Sequence, residues 1–265
     1  MEEKMKRYLV IPFLVLFVIG LSACSILPRV DPGNLVTENR DVSGFHAVRF
    51  DAAGKMSITQ GETESLKIEA GKNILPHILT EVVNGVLIIR MDEPRWNVGF
   101  PQPVEYTLVV KDMDDFTVSG AGDVKIDDLQ STAMKIDISG AGNFDIDSLQ
   151  ADSLELGLSG AGNVEISNLE VASLDATLGG AGNFDLAGKA TDQTALLTGL
   201  GSYQAGDLES ARVKVQVSGA GGAIVWATEL LKVIISGAGS VEYYGSPKVT
   251  EDVNGVGSVQ SLGNK

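Results

Sequence analysis

Asp145, Glu165 and Asp185 recur at intervals of 20 residues, and Asp127 and Asp147 are spaced in the same way. If each interval is one turn of a repeating chain, these carboxylates stack in columns about 5 Å apart. Closely spaced carboxylates can bind calcium or serve as the acid pair of glycoside cleavage. Two unit charges at that spacing repel by only about 1 kcal/mol in water, so a solvated acidic face tolerates them and is the preferred reading. Cleavage also needs a cleft between the two acids, and the repeats carry no long insertion to build one. The run Gly179-Gly180-Ala181-Gly182-Asn183 begins like a calcium-binding nonapeptide, but Phe184 stands where the aspartate is required.

The other reactive side chains are few. His46 and His77 are the two histidines, and neither neighbours a nucleophile motif; both read as structural residues. Cys24 is the single cysteine, so it cannot close an intramolecular disulfide, and no Cys/His cluster with zinc or iron spacing exists. G-x-G occurs eight times without the strand, helix and later glycine of a dinucleotide site. No cofactor and no enzymatic activity are therefore expected. The net charge of −15 repels phosphate backbones, which argues against nucleic-acid binding.

The elements that position these residues follow from the repeat. Gly-x-Gly turns start at Ser119, Ser139, Ser159, Gly179, Thr198, Ser218, Ser236 and Asn254, with spacings of 20, 20, 20, 19, 20, 18 and 18. Such regularity over half a chain marks a solenoid. In the unit starting at Ser139, the apolar residues Phe144, Ile146, Leu149, Leu154, Leu156 and Leu158 alternate with polar ones. Period two means strand. The fold expected is all-β, a right-handed parallel β-helix of about 20 residues per coil, with Phe144, Val164 and Phe184 sharing an interior file. Gly140 and Gly142 are expected to adopt positive φ or to sit where a Cβ has no room.

The same register places other residues. Asp123, Asn143, Asn163 and Asn183 fall in one column just after the turn, where amides can hydrogen-bond from coil to coil as a structural ladder. Near the end of the chain, outward positions become apolar at Ile224, Trp226, Tyr244 and Leu262. These four would cluster on one face. Either they bind a partner or glycan through their rings, or the segment Pro247 to Val253 folds over them, which is the favoured reading.

At the start of the chain, Lys4, Lys6 and Arg7 precede an apolar run from Tyr8 to Gly20 and then Leu21-Ser22-Ala23-Cys24. That order is a signal peptide over residues 1–23, and a run of about 13 residues is too short to span a bilayer. Leu-Ser-Ala-Cys resembles the lipobox of bacterial lipoproteins. The resemblance implies that Cys24 becomes the first mature residue and carries acyl chains, palmitate among them, which would hold the protein at a membrane. Residues 24–40, with Pro28, Pro32 and Gly33, read as a flexible tether. Residues 41–265 read as the β-helix, irregular over 41–117 and regular over 118–265, with a longer loop around Pro94, Trp96, Pro101 and Pro103.

Arg40, Phe45, Gln60-Gly61, Gly85 and the serial Ser-Gly-Ala-Gly, together with the runs from Met56 to Met91 and from Val241 to Gly263, resemble the head GIN domain family, described as autotransporter adhesins. The likeness extends from about Arg40 to Gly263. It implies a β-helical surface or periplasmic protein, often a lipoprotein, without an established activity. Three functions then compete. The first is a non-enzymatic, adhesin-like or scaffold lipoprotein of the cell envelope, in the outer membrane if the organism has two membranes. The second is a polysaccharide-binding or polysaccharide-cleaving β-helix. The third is a subunit that meets an envelope protein through the Ile224 to Leu262 face.

Overall fold

A computed structural model describes residues 31–92 and 104–265. The signal peptide expected over 1–23, the acylation expected at Cys24 and the loop expected around Pro94, Trp96, Pro101 and Pro103 lie outside the described residues. From Pro32 onward the described chain forms one unit, without an α-helix among its described residues.

The regular half follows from the alternation in sequence. Strands β11 (Ala141–Leu158), β12 (Ala161–Leu178), β13 (Ala181–Leu197) and β14 (Leu200–Val217) each run through a whole coil and pair in parallel with the next. In β11 the buried residues are Phe144, Ile146, Leu149, Ala151, Leu154, Leu156 and Leu158. Alternation breaks at Asp147-Ser148 and Asp152-Ser153, where two successive residues face outward, so the coil bends there and again at the glycine turn. Phe144 is in register with Val164, Val164 with Phe184, and Phe184 with Tyr203. This interior file is the one expected from the repeat.

The glycine turns are set by crowding between coils. A Cβ on Gly140 would lie 1.9 Å from the Gly120 carbonyl oxygen. Gly142 is limited twice: its φ is +150°, and a Cβ would lie 1.8 Å from the Gly122 oxygen. Backbone pairs across the turn explain the closeness, with Ala141 N donating to Gly120 O at 3.1 Å and Ala161 N to Gly140 O at 3.0 Å.

The irregular half is stacked out of sequence order. Strand β2 (Ala47–Asp51) lies between β6 (Val86–Met91) and β8 (Asp115–Val118), and β3 (Lys55–Gln60) lies between β7 (Glu105–Val110) and β9 (Val124–Gln130), all parallel. Residues 47–60 therefore form the second layer, and β6 and β7, later in the chain, form the layer outside it. Strand β10 (Ala133–Ile138) then joins β8 to β11.

Three further strands are antiparallel. Strand β4 (Ser65–Gly71) pairs with β7, β1 (Leu35–Arg40) pairs with β4, and β5 (Ile78–Val83) pairs with β6. They satisfy the edge that β6 and β7 would otherwise expose. The tether read over 24–40 is thus too long, because Leu35–Arg40 is strand, and Asn73 N also donates to Pro32 O at 3.0 Å.

At the other end, β15 (Gly222–Ile235) pairs with both β16 (Ala238–Tyr244) and β17 (Lys248–Val253), and β18 (Val256–Gly263) pairs with β16. The segment Pro247 to Val253, expected to fold over the apolar face, instead continues the coil as β17. Val256, at a turn position, is 81% exposed.

Candidate functional site

A groove crosses several coils where each chain path bends after its middle side. Gln130, Gln150 and Glu170 come from the same position of successive coils. Behind them Ala151 and Val171 turn inward and are buried, which makes the surface concave at this bend. Ser131, Thr132 and Asp152 complete one wall, and the depression encloses about 1010 Å³. Backbone bonds fix the bend: Asp152 N donates to Thr132 O at 2.9 Å and Ser131 N to Gln150 O at 3.0 Å. The polar groups of the lining are amide, hydroxyl and carboxylate, set beside the apolar Met113, Ala133 and Ala172, and they suit hydrogen-bonding to a hydroxyl-rich ligand.

Gln60 also borders this groove, but its role is internal. Its Nε2 donates to Lys111 O at 3.0 Å and to Gln130 O at 3.1 Å, while its Oε1 accepts from Gln130 N at 2.9 Å. The side chain substitutes for backbone pairing where the second layer ends. The other residues that carried the family resemblance are structural as well. Arg40 donates to Leu75 O at 3.1 Å, Phe45 is buried, and Gly85, at φ +80°, accepts from His46 N and Ala47 N.

At one end of the groove His46 Nδ1 lies 3.0 Å from Asp114 Oδ1. The hydrogen bond and charge of Asp114 raise the His46 pKa above its ordinary value. The His46–Asp114 pair can take up a proton and hold an ion pair. His77 Nδ1 lies 2.8 Å from Asp92 Oδ2.

Asp145, Glu165 and Asp185 are in register and exposed on the outer wall. Lys125 precedes them in the column and reaches Asp147 at 3.1 Å and Asp127 at 4.0 Å. Hydrogen bonding to Asp147 raises the Lys125 pKa. Among the described residues, no group of three His, Cys, Asp or Glu side chains is placed to hold a metal ion.

Beside this column, Asn143 Nδ2 donates to Asp123 Oδ1 at 3.2 Å, Asn163 Nδ2 to Asn143 Oδ1 at 3.1 Å, and Asn183 Nδ2 to Asn163 Oδ1 at 2.9 Å. Ser202 Oγ extends the ladder, donating to Asn183 Oδ1 at 2.6 Å. Sequence reasoning did not include Ser202, although its offset of 19 from Asn183 follows the repeat.

The apolar face is only partly assembled. Trp226 is in register with Tyr244, and Ile224 lies two residues before Trp226 on the same outward side. Leu262 falls at a register shift, because Tyr243 pairs with Ser261 and Tyr244 with Gly263. It is therefore not the register partner expected for Tyr244, and the residues that the register brings together are Ile224, Trp226 and Tyr244. Trp226 and Tyr244 are half-buried, and the covering group is Lys265, whose Nζ lies 5.4 Å and 5.0 Å from the two ring centroids. Lys265, Gly206 and Asp207 were missed at the sequence level. The fall in repeat spacing from 20 to 18 after Ser218 was the available signal.

The solved structures most informative for comparison share this fold. A putative adhesin from Bacteroides fragilis NCTC 9343 is 25% identical, with a TM-score of 0.66, over 88% of this chain and all of that one. A putative lipid binding protein from Parabacteroides distasonis ATCC 8503 is 21% identical, with a TM-score of 0.79, over 87% and 97%. A putative adhesin from Parabacteroides merdae ATCC 43184 is 21% identical, with a TM-score of 0.72, over 87% and 98%. No curated protein sequence matches the chain. The profile described as putative auto-transporter adhesin, head GIN domain, matches residues 44–167 and again 135–247. With its glycine turns, interior file and stacked coils inside those matches, the chain belongs to the head GIN domain family.

Proposed function

We propose that the chain is a non-enzymatic, adhesin-like lipoprotein of the cell envelope, and that the groove lined by Gln130, Gln150 and Glu170 is its binding surface. The observation that carries this reading is the origin of the groove side chains. They come from one position of consecutive coils, so hydrogen-bonding groups recur about every 4.8 Å along the solenoid. A ligand that is itself a repeating, hydroxyl-rich polymer can meet several of them in step. A polysaccharide fits this description, and an acidic surface favours a neutral or cationic one over an anionic one. The description of the family and the name of the similar Bacteroides fragilis structure support adhesion over catalysis.

Membrane attachment is proposed through Cys24, on the lipobox resemblance. Metabolic labelling with a palmitate analogue tests it: label lost in Cys24→Ser supports the anchor, and label retained there refutes it. Binding of the purified protein to immobilised glycans tests the groove. Capture that weakens in Gln150→Ala, with the glycan recovered at its original length, supports a binding role. Shortened glycan chains would support polysaccharide cleavage instead.

A further inference from the structure

The wall of the solenoid carries a step beside Trp226. Ala205 pairs with Val225, but the next pair is Glu209 with Trp226. Gly206, Asp207 and Leu208 have no counterpart in β15, and they form a ledge where the longer coil overhangs the shorter one. Leu208 is fully buried and anchors the ledge. Asp207, one residue before it, is exposed.

This ledge and the two rings frame one small space. A Cβ on Gly206 would lie 3.0 Å from Ile224 Cγ2 and 3.3 Å from Tyr244 Cε2, so glycine keeps the floor open. Gly245, at φ +98°, turns the chain away directly after Tyr244, and a Cβ there would lie 2.1 Å from Ala227 O. The space therefore has two aromatic faces, a backbone carbonyl at its floor and a carboxylate at its rim. Aromatic faces attract cations, and the two oxygens accept hydrogen bonds from an ammonium group.

Lys265 shows that a lysine fits. Its Nζ donates to Gly206 O at 2.7 Å, contacts the Asp207 carboxylate, and lies over both the Trp226 and Tyr244 rings. Asn264 alone separates it from β18, so it competes as a local ligand at an effective concentration of millimolar order or above. Lys265 itself lies outside the strands.

We propose that Trp226, Tyr244, the Gly206 carbonyl and Asp207 form a site for the ammonium group of a lysine side chain presented by a partner protein, with Lys265 as its internal occupant until displaced. The site is separate from the Gln150 groove and does not rest on that reading.

The test uses the fluorescence of Trp226 in the purified protein carrying Trp96→Phe, which leaves one tryptophan. In Lys265→Ala, n-butylammonium chloride should change the emission saturably, where sodium chloride at equal ionic strength does not. The chain with Lys265 intact should need roughly tenfold more of it, since the competent state is rarer. A lysine-containing tripeptide amide should bind at least as well as n-butylammonium, and Asp207→Asn should weaken both. Lys265→Met, which keeps an apolar stem, should behave as Lys265→Ala, with circular dichroism checking that each variant stays folded. Absence of a saturable change in both Lys265 variants would overturn the proposal. So would equal affinity with Lys265 present, or binding of phosphatidylethanolamine vesicles in place of the peptide.

Discussion

Gln193 donates a 2.7 Å hydrogen bond to the hydroxyl of Tyr203 inside the coil stack, and its amide oxygen accepts from Ser210 Oγ at 2.9 Å. All three side chains are buried. Gln193 stands in the interior file between Leu174 and Val213, so a polar residue replaces an aliphatic one and is satisfied by its neighbours. Burial also raises the Tyr203 pKa, which keeps the phenol neutral as a hydrogen-bond partner. Tyr203→Phe should destabilise the protein by about 1–3 kcal/mol, because it strands a buried donor. Adding Gln193→Leu should recover part of that loss. Chemical denaturation of both variants checks the sign of the coupling, and a double variant worse than the sum of the singles would be inconsistent with the network.

Crowding at the glycine column gives a second prediction. A Cβ on Gly160 would lie 1.9 Å from Gly140 O, a contact that only backbone movement relieves. Gly160→Ala should lower stability by roughly 1–3 kcal/mol, the usual range for overpacking. Ala161→Ser, at an exposed turn position, should stay within about 0.5 kcal/mol of the parent. Urea midpoints of the two variants separate the effects.

Asn163 both gives and receives a ladder bond. Asn163→Ala should cost about 1 kcal/mol, since net hydrogen-bond contributions are of that order. Hydrogen exchange should quicken first in the coils on either side of Asn163, because coil stability depends on nearest neighbours.

The His46–Asp114 pair predicts a pH dependence. Its folded pKa is raised from 6.5 by the Asp114 hydrogen bond, so the stabilisation is fully present below pH 6.5 and fades as pH rises through the folded value. Between about pH 6 and pH 8.5 the urea midpoint should fall by less in Asp114→Asn than in the parent. An identical fall in both would remove His46 as a cause.

The regular coils were legible because period two and a fixed 20-residue interval constrain each side chain to one face and one column. Phe144, Val164 and Phe184 needed nothing more. The first half was less so. Alternation is the same in parallel and antiparallel strands, and so the residues of β4 gave no sign that it runs against β7. The placement of residues 47–60 between two later layers depends on long-range pairing, which local pattern does not encode. Leu262 misled for a related reason: a constant register was carried past Tyr243, where the ladder shifts. The Lys265 contact joins residues 58 or more positions apart, and its one local trace was the shortened repeat.

Surface plasmon resonance of the purified protein over immobilised glycans tests the binding role most directly. The groove account predicts capture of at least one neutral or cationic glycan, weakened about three- to tenfold by Gln150→Ala and unaffected by Asp185→Asn on the outer acidic wall. Capture that Asp185→Asn abolishes and Gln150→Ala leaves intact would contradict it.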